Sequence, residues 1–371
     1  MAATPLPDET TLLKKTKRSQ IENLDRVRQV WPWIFFALMV IGFSIASKIK
    51  NDVNFINVRS VQGILEYTTQ ILLIGLAETF VIITGGIDLS LGWTLGFASV
   101  IAAEVMQLLY SSGASPVEVI AAGFLAGILV TILPGLLNGW LVARIRVPPF
   151  IATLGVGVLV EGIALLRSGG YPVAKQPPFL GQIGNGYLMR YWPGHGLYFF
   201  TVPEEATAAD MASIIPIIPN IVMITLVVTL VCWFILAKTQ FGQHLYAIGG
   251  NYEASMRAGI PVARTLIKTY VLASVLAGIA GVIWASRFTS GAYNAGETTT
   301  MTAIAAVVIG GASLFGGEGT IVGTIIGALI IATIQYGLVL LGVIPFWQYV
   351  AVGTVLILAV IVDQFGRRLG K

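Results

Sequence analysis

The stretch from Ile71 to Ala103 reads ILLIGLAETFVIITGGIDLSLGWTLGFASVIAA. Two apolar runs flank TGGIDLSLG, Thr84–Gly92, and each extends to the length that crosses a bilayer, about 20 residues. The runs are continuous rather than alternating, which selects helices and excludes a transmembrane β-barrel. Between them stand three glycines and a carboxylate, Asp88, where an unbroken span would carry lipid-facing side chains. Two membrane helices joined by a flexible polar break are therefore expected.

The rest of the chain extends the pattern. Of 371 residues, 56% are hydrophobic and only 11% charged, against about 25% charged in soluble domains. Mean hydropathy is +0.84. The expected fold is all-α, a polytopic membrane protein of about ten transmembrane helices. A net charge of +4 does not point to nucleic acid. The single cysteine, Cys232, sits in an apolar run, cannot form an intrachain disulfide and reads as a small apolar side chain. His195 and His244 lack metal-ligand spacing and read as loop residues, so no metal and no catalytic cluster is expected.

Candidate spans are 31–48, 62–83, 90–110, 117–142, 149–167, 213–237, 268–288, 300–313, 320–341 and 347–363. The first, WPWIFFALMVIGFSIAS from Trp31, follows a long polar tail and opens on tryptophans, which favours an uncleaved span over a signal peptide. Basic residues mark the cytoplasmic side. The tail 1–30, the loop with Arg144 and Arg146, the segment 238–268 with Arg257 and Arg264, and the tail 364–371 with Arg367 and Arg368 all fall on one side. Both termini are therefore expected in the cytoplasm, with Lys48, Lys50 and Arg59 as mild dissenters. The eighth span is short, as a tilted, broken or re-entrant segment would be. The segment 168–212 is the longest outer loop. Its prolines and glycines argue against a long helix, and Tyr191 and Trp192 suggest packing or an interfacial position.

Gly85-Gly86-Ile87-Asp88 has a partner in Gly310-Gly311-Ala312-Ser313, and each is followed by a proline–phenylalanine pair, Pro149-Phe150 and Pro345-Phe346. An internal repeat, a common transporter device, is compatible with this. The spacing does not hold, because 225 residues separate the glycine pairs and 196 the proline pairs. Asp88 reads either as the N-cap of the third span or as a wall of a translocation path. Of the other acids in spans, Glu66 and Glu104 fall near span ends, while Glu78 and Glu161 lie deeper.

Within the cytoplasmic segment, NYEASMRAG from Asn251 to Gly259 fits two helical turns stopped by Gly259, with Pro261 beyond. A short exposed helix with a defined stop reads as a docking element, against the plainer reading of a connecting loop.

ETFVIITGGIDLSLG, LLNGWLVARIRVPPFIATLG, YAIGGNYEASMRAGI and AIAAVVIGGASLFGGEGTIVGTIIGALI, in this order, resemble the permease subunits of ribose-type, monosaccharide-importing ABC transporters. The resemblance runs from about Val53 to Asp363. It implies a bacterial inner-membrane, multi-pass permease. Its partners would be an ATP-binding subunit, an extracytoplasmic solute-binding protein and a second permease copy. Glu253–Gly259 is similar to the family's docking loop for the ATPase, with Ser255 where the family usually has alanine. Tyr252, Glu253, Ala254, Ser255, Arg257 and Gly259 are thus expected to couple to that subunit. The outer loop 168–212 is longer than is usual for the family.

The chain has no G-x-x-x-x-G-K-[ST], so ATP-Mg would be bound by a partner and this chain would carry no cofactor. A sugar needs hydrogen-bond partners and aromatic faces rather than charge. Thr84, Gly85, Gly86, Asp88, Ser90 and Asn138 are candidates for the path, together with Phe150, Thr153, Gly310, Gly311, Ser313 and Gln335. The alternative reading is an ion-coupled secondary carrier, with Glu78 and Glu161 as coupling groups. A membrane enzyme lacks support, since no His, Cys or carboxylate cluster falls on one face.

Overall fold

A computed structural model describes residues 31–201, 206–344, 346–354 and 357. The two tails, 1–30 and 364–371, lie outside these, as does the later part of the tenth expected span. The described helices are α1 Trp31–Asn51, α2 Val58–Ile83, α3 Leu91–Ser111, α4 Pro116–Val130, α5 Ile132–Trp140 and α6 Pro149–Ser168. After them come α7 Leu180–Asn185, α8 Ala208–Ser213, α9 Asn220–Lys238, α10 Gln240–Gly250 and α11 Tyr252–Arg257. The last are α12 Val262–Phe288, α13 Thr299–Ile309 and α14 Ile321–Leu340. A further helical stretch covers 346–354. Among the described residues, eight helical segments are long and apolar enough to cross a membrane, counting Pro116–Ile145 as one.

Burial ranks these helices. In α2, 83% of the apolar window is buried inside the protein, against 11% in α1. A helix that is apolar all round and still exposed needs lipid as its solvent, which suits α1. The centre is built from α2, α3, α12, α13 and α14, where Leu73, Ile74, Phe80, Leu95, Tyr270 and Ile331 share one core. Two ends can be told apart. One carries Arg144, Arg146 and α10–α11; the other carries a small sheet.

That sheet is the main addition to the expected helical fold. Strands β1 Tyr187–Trp192, β2 Gly196–Phe199 and β3 Ile215–Pro219 pair antiparallel in the order β2-β1-β3. Tyr191 faces both Leu197 and Ile215. His195 sits in the hairpin turn, stacked on Trp192 at 3.8 Å. The sixth span accordingly starts at Asn220, not 213. Pro216 and Pro219 lock extended backbone there and cannot donate to a helix ladder, and Gln62 Nε2 of α2 donates to Pro216 O at 2.5 Å.

Between β2 and β3, Thr207 caps α8 and shares a capping box with Asp210: Asp210 Oδ2 accepts from the Thr207 hydroxyl at 2.7 Å and from its amide at 2.9 Å. The Thr207 hydroxyl, then its amide, lower the Asp210 carboxyl below its ordinary value. A depressed carboxyl stabilises the fold above its unfolded value, about 3.9, and loses that contribution as pH falls through the folded one. Hydrogen exchange should therefore show α8 amides equally protected at pH 7 and 5 and progressively exposed below about pH 4. Protection lost with rising pH instead would contradict the cap.

Other boundaries move for local reasons. The fourth span runs Pro116–Ile145, with a break at Thr131 and a π-helical turn over Leu141–Ile145. Arg146, at φ +65°, and then Pro148 and Pro149 end it. α12 begins six residues before the expected 268, immediately after Pro261, where proline's fixed φ suits a helix start. His244 lies in α10, not in a loop, because Gly242, Leu245 and Ile248 recur at helical spacing and bury one face.

The short eighth span is a broken crossing. α13 has 11 residues, about 16 Å at 1.5 Å per residue, half a membrane. The chain before it, 289–298, runs back along α3 without helix. Gly291 bridges Val173, Val173 N donating to Gly291 O at 2.7 Å. Ser99 Oγ lies 3.0 Å from both Ala292 N and Ala292 O. Backbone at membrane depth persists only where the protein satisfies it, and these bonds supply that.

Candidate functional site

α2 ends in a turn that folds the chain back into the bundle. Gly85, at φ +82°, takes the left-handed position that closes a helix C-terminus. Gly86 N donates to Val81 O and Gly85 N to Ile82 O. The second break uses the same device. Gly311 is at φ +92°, Ala312 N donates to Val307 O and Gly311 N to Val308 O. The left-handed glycine is thus the first of its pair in one break and the second in the other, so the two stretches align one residue off the sequence pairing. An i to i+2 side-chain turn follows each: Ser90 N to Asp88 Oδ1 at 2.9 Å, and Phe315 N to Ser313 Oγ at 3.2 Å.

The two breaks touch. Gly317 N donates to Ile83 O at 2.9 Å. α10 rests on both. Tyr246 Oη donates to Gly319 O at 2.6 Å, and a Cβ at Gly249 would sit 1.8 Å from Ile83 O and 2.5 Å from Gly317 N. One residue after α10, Asn251 caps α11, accepting from Ala254 N at 2.9 Å. α11 stops where expected, with Gly259 at φ +80°. Ser255 is buried against the bundle, so a small side chain is required there, while Glu253 and Arg257 are exposed and 3.8 Å apart. That separation and exposure make the pair a minor stabiliser.

Above the first break lies a closed polar cluster. Asp88 N donates to Glu78 Oε2 at 3.4 Å, which places Asp88 beside a residue five positions before the end of α2, about 7.5 Å into the bundle. Asp88 Oδ1 also accepts from Ser90 Oγ at 2.5 Å, and Asn138 Nδ2 of α5 donates to Ser90 Oγ at 2.8 Å. Leu89 N donates to Thr153 Oγ1 of α6 at 3.1 Å. Glu78, Asp88, Ser90, Asn138 and Thr153 are all fully buried. Asp88 is not the helix N-cap. Ser90 holds that position without a side-chain bond, and the orphan amide Gly92 N is met by Thr300 Oγ1 of α13 at 2.7 Å.

Thr84, Gly85 and Gly86 line a cavity of about 290 Å³ with Arg146, Tyr252 and Tyr270. It joins α11 to the first break. Arg146 and Tyr252 also border a neighbouring hollow of about 510 Å³ with Arg144, Met256 and Arg264. The structure thus brings together Asp88, Ser90, Asn138 and Thr153 in the cluster, and Thr84, Gly85 and Gly86 beneath it. Gly310, Gly311 and Ser313 belong to the second break. Phe150 is exposed at the start of α6, and Gln335 lies far along α14; neither joins the cluster.

The other acids divide as their positions suggest. Glu66 pairs with Arg287 at 2.9 Å and Glu104 with Arg167 at 2.6 Å. Glu161 makes no ion pair among the described residues. Sequence reasoning missed Tyr246, Gly249, Thr300 and Tyr270. Gly249-Gly250 was the available signal, a third glycine pair directly before the docking helix.

Comparison with known proteins places the chain. The family described as branched-chain amino acid transport system / permease component matches residues 60–360. The ribose import permease protein of Bacillus subtilis is 37% identical over 355 residues, covering 94% of this chain and 98% of that protein. The galactose/methyl galactoside import permease protein of Haemophilus influenzae is 33% identical, covering 89% of this chain and 93% of its own length. The xylose transport system permease protein of the same organism is 32% identical, covering 90% and 96%. No solved structure matches the chain.

Proposed function

This chain belongs to the branched-chain amino acid transport system / permease component family, and from that premise we propose that it is the membrane subunit of an ATP-driven, binding-protein-dependent importer of a monosaccharide or related polyol. The substrate class comes from the sugar-import relatives. In this reading the end bearing Arg144, Arg146 and α10–α11 faces the cytoplasm, and the sheet faces the solute-binding protein. Two copies of the chain pair, each docking one ATPase. Tyr252, Glu253, Ala254, Ser255, Arg257 and Gly259 form the docking element. The ATPase binds ATP-Mg.

One observation carries the mechanism. α10 and α11 form one unit seated on both breaks through Gly249 and Tyr246. Movement imposed on α11 by a closing ATPase would reach the breaks without an intermediate element. The first break in turn carries Asp88 and Ser90 of the buried cluster and lines the 290 Å³ cavity, so shifting it changes access to the path. Thr84, Gly85 and Gly86 already border open space. Asp88, Ser90, Asn138 and Thr153 would meet sugar only after the breaks move.

Glu253→Arg reverses an exposed charge at the proposed docking surface and touches nothing buried. ATP-driven uptake by the complete transporter is expected to fall at least tenfold, about 1.4 kcal/mol of coupling, with the amount of permease in the membrane unchanged. Uptake at the normal rate, with ATPase still co-purifying, would remove Glu253 from the interface.

A further inference from the structure

We propose that Glu78, Asp88 and Asn138 form a buried site for one monovalent positive charge taken from solution, a sodium ion or a proton. The three side chains come from α2, the first break and α5, and each is 0% exposed. Each keeps an acceptor oxygen with no hydrogen-bond partner: Glu78 Oε1, Asp88 Oδ2 and Asn138 Oδ1. The other halves of the same groups are engaged. Glu78 Oε2 accepts from Asp88 N, Asp88 Oδ1 accepts from Ser90, and Asn138 Nδ2 donates to Ser90 Oγ. Asn138 is thereby tied through Ser90 to Asp88, and its buried carbonyl oxygen carries no hydrogen bond.

The surroundings offer no balancing charge. Among the described residues no lysine, arginine or histidine forms an ion pair with either carboxylate. The titratable group facing them from α12 is Tyr270, whose hydroxyl packs beside Gly86. α5 and α6 contribute only the uncharged Asn138 and Thr153. Arg146 stands at the cavity below, beyond Gly85 and Gly86. Two adjacent carboxylates in such an interior cannot both remain charged without compensation. Hard cations select oxygen-only donors, carboxylate and amide carbonyl among them, and a proton held between the acids satisfies the same oxygens. Either one staples the break to α2 and α5. Neither implies ion-driven transport, because the site holds its charge within a closed cluster.

The experiment needs no transport, so it stands or falls separately from the importer reading. Thermal unfolding of the full chain in lipid nanodiscs is followed as sodium chloride replaces choline chloride at constant ionic strength. The infrared carbonyl band of a protonated carboxyl is recorded in the choline buffer. A midpoint that rises with sodium, and no longer rises in Glu78→Gln, assigns a sodium ion. A protonated-carboxyl band that Glu78→Gln removes assigns a proton. Asp88→Asn replaces Glu78→Gln if that variant does not assemble. A wild-type chain silent in both measurements overturns the proposal, as does a response that the variant leaves unchanged.

Discussion

Gly249→Ala is expected to lower ATP-driven uptake tenfold to a hundredfold, while Gly250→Ala, one residue on, leaves it intact. The added Cβ at Gly249 would stand 1.8 Å from Ile83 O and 2.5 Å from Gly317 N, both backbone atoms; at Gly250 it would meet nothing within 4 Å. Side chains can rotate away from an intruding methyl, but backbone in a packed turn cannot. The strain is of the overpacking kind, about 1–3 kcal/mol or more. The chain can relieve it by lifting α10 off the breaks, since α10 is the less buried partner and Ile83 is fully buried. Lifting α10 separates the docking helix from the path. Each 1.4 kcal/mol is about tenfold in the seated population, so uptake falls tenfold to a hundredfold. Both variants should reach the membrane in equal amounts, and the ATPase should still bind. Equal uptake by the two variants would show that Gly249 does not transmit the movement.

The same contact shows how far the sequence could be read. Hydropathy reveals that a span exists because each helix must be apolar over its length whatever its neighbours are. The ordering of spans, the break at Gly85 and the stop at Gly259 follow from local chemistry and were legible. Partnership was not. Asn138 and Thr153 could be singled out as polar residues in apolar runs, yet nothing local says that both reach one turn. Asp88 looked like a helix cap because it precedes a span. The helix instead starts after Ser90, and its Gly92 amide is met by Thr300, 208 residues away, a pairing no local pattern encodes. The sheet fell in a segment of prolines and aromatics that reads as irregular chain until β1 is set between its neighbours. The stretch 289–298 reads as a polar loop, because small polar residues look alike on a surface and in a groove between helices.

That groove gives the second large effect. Gly96→Leu should destabilise the full chain by about 3 kcal/mol or more and lower its recovery from the membrane, because it lifts 289–298 out of its seat. A Cβ at Gly96 would already be 1.9 Å from Tyr293 O and 2.7 Å from Tyr293 C. Gly92 and Gly96 sit on one face of α3, four residues apart, and Ser99 follows a turn later. The segment 289–298 lies on that face, and its Ala292 amide and carbonyl both reach Ser99 Oγ at 3.0 Å. Displacing the chain breaks these bonds where no water replaces them, and each unsatisfied backbone group in an apolar interior costs several kcal/mol. α13 would lose its footing as well, since Thr300 holds the first turn of α3. Gly42→Leu on α1 is the control, because a Cβ there meets nothing within 4 Å. Thermal unfolding of the purified chain should place Gly96→Leu well below wild type and Gly42→Leu close to it. Equal midpoints for the two variants would mean that 289–298 does not depend on α3 for its place in the membrane.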